Sequence, residues 1–257
     1  MFPFVGMIGE KGKDPVVPTD GTGVLLSVNV AMPHEVTYQD RTYQTGIYKN
    51  PQPGRVALSA LNLDGDGQGS PINHGGPDMA VYVYSRDHYI FWEKDMRENL
   101  NGARLPFGSF GENLTVTGMR EDTVHIGDIF TIGSVRLQVS EPRTPCHKLA
   151  LKFDDPLLPK RFMKSGRVGF YFRVLQIGDV GAGDGIGCEA RDPAKLSILE
   201  TLALWSDKGA SAEALERALS VSALSATWRG MFEKRLETAS TANPGHQEWR
   251  PESLKWV

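Results

Sequence analysis

The chain has 257 residues, 40% of them hydrophobic and 23% charged, which suits a globular protein of one large domain or a medium domain with a smaller appendage. Its net charge of -3 gives no overall attraction to a polyanion, so a nucleic acid polymer is not an expected partner. Two cysteines do not make a disulfide framework, no apolar run reaches membrane-spanning length, and the N-terminus is too short and proline-marked for a secretory signal; the cytoplasm is the expected location.

Residues 1–23, rich in Gly, Pro and Lys, are expected to be a loosely ordered lead-in. From 24 to 187 the pattern is one of short strands and frequent turns. Gly23–Val30 and Arg55–Leu58 are β-prone, and the stretches 123–126 and 129–132 flank a Gly127-Asp128 turn. Residues 134–140 alternate, with Val135, Leu137 and Val139 on one side and Arg136 and Gln138 on the other. Gly133-Ser134 predicts a tight hairpin turn before this strand. The stretch 170–177 carries apolar residues on both faces, as a strand enclosed in a barrel or sandwich does. Such spacing predicts a closed or nearly closed sheet, hence a mainly β domain. One helix interrupts it over 86–96, with Ser85 as its expected N-cap and Tyr89, Trp92 and Met96 along a core-facing stripe.

The texture changes after Gly187, and the glycine-rich run 181–187 is expected to be the linker between domains. Asp192-Pro193 is expected to open a helix running to Trp205, with Pro at its first position. A short helix over 211–219 and a third over 222–236 complete a small helical domain within 188–257; Leu224, Trp228, Met231 and Leu236 fall near one face of the third. A bundle of this size is marginal alone, so docking on the β domain is expected.

Chemistry concentrates in Pro142-Arg143-Thr144-Pro145-Cys146-His147-Lys148, where a cysteine sits among basic residues and prolines. The positive surroundings favour a thiolate at Cys146, and the prolines predict a rigid, exposed turn after a strand. Such a thiolate can be a nucleophile, a redox group or a ligand for a soft metal. Two loops upstream carry further candidates. His74-Gly75-Gly76 combines a directional polar group with backbone that a ligand can approach closely. Asn113 offers both a donor and an acceptor suited to a heterocycle edge. Asp64-Gly65-Asp66-Gly67-Gln68 has the start of a calcium loop but lacks the later ligands, and is expected to be a glycine-dense turn. Nucleotide-binding glycine motifs, His-Glu-x-x-His, Cys-x-x-Cys and Gly-x-Ser-x-Gly are missing, which disfavours zinc hydrolase, thioredoxin and esterase chemistry.

Thr45-Gly46-Ile47-Tyr48-Lys49, the 64–68 and 74–78 loops, residues 84–92, Phe110-Gly111-Glu112-Asn113-Leu114, residues 126–130 and the 139–149 segment resemble, in this order, the MOSC family. The resemblance extends through 164–169 and 224–228 to the two-domain bacterial YiiM type, and Pro-Arg-x-Pro-Cys-x-Lys-Leu is its most specific part. It implies a MOSC β-barrel over 24–187 followed by a three-helix domain. It also implies a molybdenum cofactor, Mo-molybdopterin, with Cys146 as the protein thiolate on the metal, since a soft sulfur suits a metal already held by a dithiolene. Lys49, His74, Gly75, Gly76, Asn113, Arg143 and Lys148 become the candidates that bind the cofactor, Arg and Lys taking its phosphate. The implied activity is two-electron reduction of small N-hydroxylated compounds, notably purines such as 6-hydroxylaminopurine. Without a flavin, haem or iron–sulfur motif in the chain, electrons are expected from a separate flavin-type reductase. The helical domain could mediate a homodimer, dock that donor or cover the cofactor.

Two other readings compete. The chain could carry molybdopterin or persulfide sulfur without turnover, because an exposed thiolate serves that equally well. A cysteine hydrolase would pair Cys146 with His74 or His147, but neighbours in an extended segment point apart, so His147 is a poor base for Cys146. Cys188, lacking the same basic setting, is expected to be inert.

Overall fold

The computed structural model describes residues 23–70 and 75–241, with side chains to residue 238. The expected lead-in therefore lies outside the described residues except for Gly23, and so does the chain end beyond 241. Twelve strands occur in the described part: β1 (Gly23–Val30), β2 (His34–Tyr38), β3 (Arg41–Thr45), β4 (Asn50–Pro51), β5 (Arg55–Leu58), β6 (Val81–Ser85), β7 (Leu114–Val116), β8 (Ile129–Ile132), β9 (Val135–Pro142), β10 (Phe170–Gln176), β11 (Gly178–Gly181) and β12 (Gly185–Ala190). Seven of them close a barrel in the order β12-β8-β9-β10-β6-β7-β1, with β1 returning to pair β12. The β6–β7 pair is parallel and the other barrel pairs are antiparallel. The β2–β3 hairpin and the β5–β11 ribbon stand outside this ring.

The period-2 pattern decides which side chains fill the barrel. Val135, Leu137 and Val139 of β9 are essentially fully buried and meet Phe130, Phe170 and Phe172. Each such side chain contributes about 1.5–3 kcal/mol through area removed from water. Helix α1 (Asp87–Asp95) seals one flank with Tyr89 and Trp92, and Met96 just beyond it is buried too. Trp92 stacks on Phe162 of α3 (Leu158–Ser165), which follows α2 (His147–Phe153). Helices α4 (Ile198–Ser206), α5 (Ala212–Ser220) and α6 (Ala226–Thr241) form the appended unit.

Several boundaries differ from expectation. The glycine run 181–187 is not a linker: it turns from β11 into β12, the strand that closes the barrel against β8 and β1. Residues 123–126 make no strand, only a bridge from His125 to Ser197, because the chain there turns back on Arg120. Only the first half of 170–177 is enclosed; Leu175 and Ile177 are exposed where β10 runs past the barrel wall. Ser85 belongs to β6, and α1 starts after Arg86, although the Ser85 hydroxyl still accepts from the Asp87 N–H at 3.3 Å. Asp192-Pro193 does not open a helix. Lys195 has a left-handed φ of 48°, Leu196 and Ile198 bond across to Ile126 and Val124, and α4 begins only after Ser197, whose hydroxyl accepts from Glu200 N–H. The third helix begins at Ala226, where the Ser225 hydroxyl accepts from Trp228 N–H.

The helical unit docks on the end of β9, as its size requires. Ser225 N–H bonds to Ser140 C=O at 3.1 Å. Asp78 accepts two bonds from Arg173, at 2.8 and 2.6 Å, and a third from Ala226 N–H. Trp228 and Phe232 are buried, while Met231 and Leu236 pack partly covered beside them. The strand that leads to Cys146 therefore has barrel on one side and the third helix against its end.

Candidate functional site

β9 ends at Pro142, which has no N–H to continue the ladder, and Arg143 N–H makes the last cross-strand bond to Gly169 C=O. Pro145 keeps Thr144 extended, and Cys146 then occupies the N-cap of α2, with its C=O accepting from Leu149 N–H at 3.0 Å. Cys146 is half-buried and neither cysteine is in a disulfide. His147 is thus the first helical residue, not part of an extended pair, and its ring lies 4.8 Å from that of Tyr43 on β3. The reason for discounting it as a base for Cys146 does not hold in this geometry, yet its ring faces Tyr43.

Cys146 lines an open surface cleft. Lys49, Asn113, Arg143 and Lys148 line the same cleft, with Thr45, Gly46, Met79, Tyr82 and Tyr171 among the other walls. Five candidates from distant parts of the chain thereby meet. Gly75 and Gly76 are not among the cleft's lining residues, although Gly76 C=O accepts from the N–H of Met79, which is. His74 lies outside the described residues.

Arg143 departs most from expectation. A charged residue was grounds for expecting an exposed segment, yet Arg143 is 6% exposed. Its guanidinium lies over the rings of Tyr82, at 4.8 Å, and Phe162, at 5.1 Å, which cover the flat cation without needing a carboxylate. It also acts on the Tyr171 phenol, whose pKa burial pushes up to about 12. Arg143 Nη1 is buried without a hydrogen-bond partner. A buried cationic donor left open beside a cleft is a seat for an anionic oxygen.

Asp66 is the residue sequence reasoning missed. The turn at 64–68 is glycine-dense as expected, but Asp66 faces inward. It takes the Lys49 ammonium and the Ala31 N–H on Oδ1, and the Asn113 amide on Oδ2 at 2.8 Å. Burial lowers the Lys49 pKa, with Asp66 pulling the other way. Asn113 Oδ1 accepts from Tyr82 N–H at 3.0 Å and its Nδ2 also reaches Asn29 C=O at 3.4 Å. The Asn113 amide thus ties the Asp66 loop to β6 and β1 while lining the cleft. The signal was available in principle: Asp66 is the only acid in the turn flanked by glycine on both sides, as a close backbone approach demands.

Lys152, one turn beyond Lys148, was also missed. Its ammonium donates to Ile47 and Gly108 carbonyls at 3.0 and 2.8 Å, and enclosure brings its pKa down to about 7. Lys152 fixes the Ile47 wall of the cleft from behind.

No cluster of three or more His, Cys, Asp and Glu suited to a metal ion occurs among the described residues. One thiolate ligand with cationic neighbours instead fits a metal that arrives in its own anionic organic ligand. No helix among the described residues is long and apolar enough to cross a membrane.

Comparisons with known proteins agree with the architecture. The MOSC domain model matches residues 71–187 and the YiiM-like 3-alpha helix domain model matches residues 196–239. YflK of Bacillus subtilis is 40% identical over 211 residues, covering 82% of this chain and 93% of YflK. A protein of Gibberella moniliformis named Reductase is 40% identical over 190 residues, covering 71% of this chain and 32% of that longer protein. The crystal structure of YiiM from Geobacillus stearothermophilus matches with a TM-score of 0.70 at 36% identity, covering 83% of this chain and 99% of that one. The closed barrel, the docked helical unit and these matches place the chain in the MOSC family, as a member of its two-domain YiiM type.

Proposed function

We propose that this protein is a molybdenum cofactor-dependent oxidoreductase that reduces N-hydroxylated compounds, including N-hydroxylated purines such as 6-hydroxylaminopurine. The observation that carries the reading is the pairing of Cys146 with the buried, open Arg143 Nη1 on one cleft. A relative named Reductase is consistent with redox chemistry. The cofactor would supply the two-electron centre. Cys146 would hold its metal through a thiolate, Arg143 and Lys148 would take the phosphate, and Lys49 would stay turned to Asp66 as part of the frame.

The overall change is R–NHOH + 2 e⁻ + 2 H⁺ → R–NH₂ + H₂O, in which the N–O bond breaks. Electrons would come from a separate flavin-type reductase. The chain's own contribution is position. Pro142, Pro145 and the first turn of α2 fix Cys146, while Tyr82 and Phe162 hold the Arg143 plane.

Protein expressed in a host that makes the cofactor should carry molybdenum and pterin near one per chain. It should also reduce 6-hydroxylaminopurine with reduced viologen as donor. Cys146→Ala should lose that activity. Wild type without metal or pterin, or an active Cys146→Ala, overturns the proposal; bound pterin with no turnover on any N-hydroxylated compound would make the chain a carrier instead.

A further inference from the structure

Two rings that do not line the cleft are carried by the chain next to residues that do. Thr45 of β3 lines the cleft, and Tyr43, two residues earlier, lies on the same face of that strand. Tyr43 is half-buried, and its ring meets that of His147, the exposed residue directly after Cys146. The aromatic residues that do line the cleft are committed to Arg143: Tyr82 beneath its guanidinium and Tyr171 beside it.

The β2–β3 hairpin that carries Tyr43 is outside the barrel but is held at its base. A Cβ on Gly69 would lie 2.2 Å from Gln44 C=O, and one on Gly46 would lie 2.4 Å from Gly67 C=O. Only glycine permits that contact, so the hairpin is bound to the loop bearing Asp66 and its aromatic face is fixed relative to the cleft.

We infer that Tyr43 and His147 form a stacking wall beside Cys146 that selects planar, heteroaromatic N-hydroxylated substrates over aliphatic ones. This rests on the reductase reading for its substrate. A flat base has a π face to lay on such rings, and an aliphatic hydroxylamine derivative does not. Both residues act in specificity and neither touches electrons or the reacting bond.

The test compares wild-type holoenzyme with Tyr43→Ala, His147→Ala and Tyr43→Phe. Activity is expressed per bound molybdenum, on 6-hydroxylaminopurine and on acetamidoxime. The kcat/KM ratio favouring the purine should fall about tenfold in either alanine variant, mainly through KM, and Tyr43→Phe should restore it. Calorimetric titration with adenine, the planar amine product, should show a similar loss of affinity in the alanine variants. An unchanged ratio with unchanged adenine affinity overturns the inference, as does wild type that fails to bind adenine, or Tyr43→Phe as impaired as alanine. Wild type that binds adenine through these residues but reduces neither compound removes the reductase reading and leaves the stacking wall standing.

Discussion

The Lys49 ammonium is bonded to the Asp66 carboxylate, and the two side chains are 9% and 2% exposed. The lysine expected from the sequence to hold a phosphate is thus already paired with Asp66. Asp66→Asn should leave a buried cation without its counter-charge and cost about 3 kcal/mol of stability, because breaking one side of a buried pair exceeds the net worth of the pair. Lys49→Met combined with Asp66→Asn should recover much of that loss. Urea denaturation of the three variants checks this; equal stability of Asp66→Asn and wild type would rule it out.

Arg143 is held by ring faces and not by a carboxylate, which makes it a poor site for the usual exchange of one cation for another. Arg143→Lys keeps the charge but loses the flat stack on Tyr82 and Phe162 and the buried Nη1 donor. Protein isolated with this change should retain its fold, with a midpoint within a few degrees, yet, on the cofactor-dependent function proposed above, carry far less pterin than wild type. Pterin fluorescence after oxidative release, read beside a thermal melt, gives the answer.

Much of this was legible where one local rule acts alone. Strand β9 followed from Val135, Leu137 and Val139, and the short helix expected over 211–219 is α5, which the Ser211 hydroxyl caps at Ala214 N–H. Where two elements compete for the same backbone, sequence reading failed. Pro193 is a sound helix opener, but Leu196 and Ile198 are claimed by the bridge to 124–126, so α4 waits for Ser197. The glycines of 181–187 suit a linker or a tight turn into a strand, and only the pairing of β12 with β1 decides. At the site, Cys146, Arg143 and Lys148 stood out because they adjoin in sequence. Asp66 and Lys152 did not, since their roles lie in contacts to residues 17 and 44 positions or more away.

Gly169 tests how tightly the Arg143 aromatic bed is built. It has φ of 71°, and a Cβ would lie 2.3 Å from Val83 C=O and 2.8 Å from the Tyr82 ring. Backbone does not yield as a flexible side-chain end does, and an L-residue is strained at this φ. Gly169→Ala should destabilise by more than about 2 kcal/mol, whereas Gly183→Ala, at φ of 96° with open space around it, should cost only its backbone strain of about 1 kcal/mol. Chemical denaturation of both variants separates the two; equal losses would show that the bed has room to move.

Glu141 predicts how stability changes with pH. It is 5% exposed at the junction of β9 with the helical unit, and its Oε2 has no hydrogen-bond partner. Burial pushes its pKa up from 4.5 to about 7, Asp78 adds to the rise, and Ser225 and Arg173 oppose it. Tyr171 lies across the strand pair from it. Because the folded value exceeds the unfolded one, the fold holds the proton between about pH 4.5 and 7 while the unfolded chain has released it. Its contribution is full below that window, falls as pH rises through it and is flat above. The whole span is as much as about 3 kcal/mol, at about 1.4 kcal/mol per unit. Glu141→Gln, which cannot ionise, should remove this part of the slope and be more stable than wild type at pH 8. Guanidinium unfolding at pH 5, 6, 7 and 8 measures it directly: parallel curves for the two proteins would mean that Glu141 does not keep its proton in the fold.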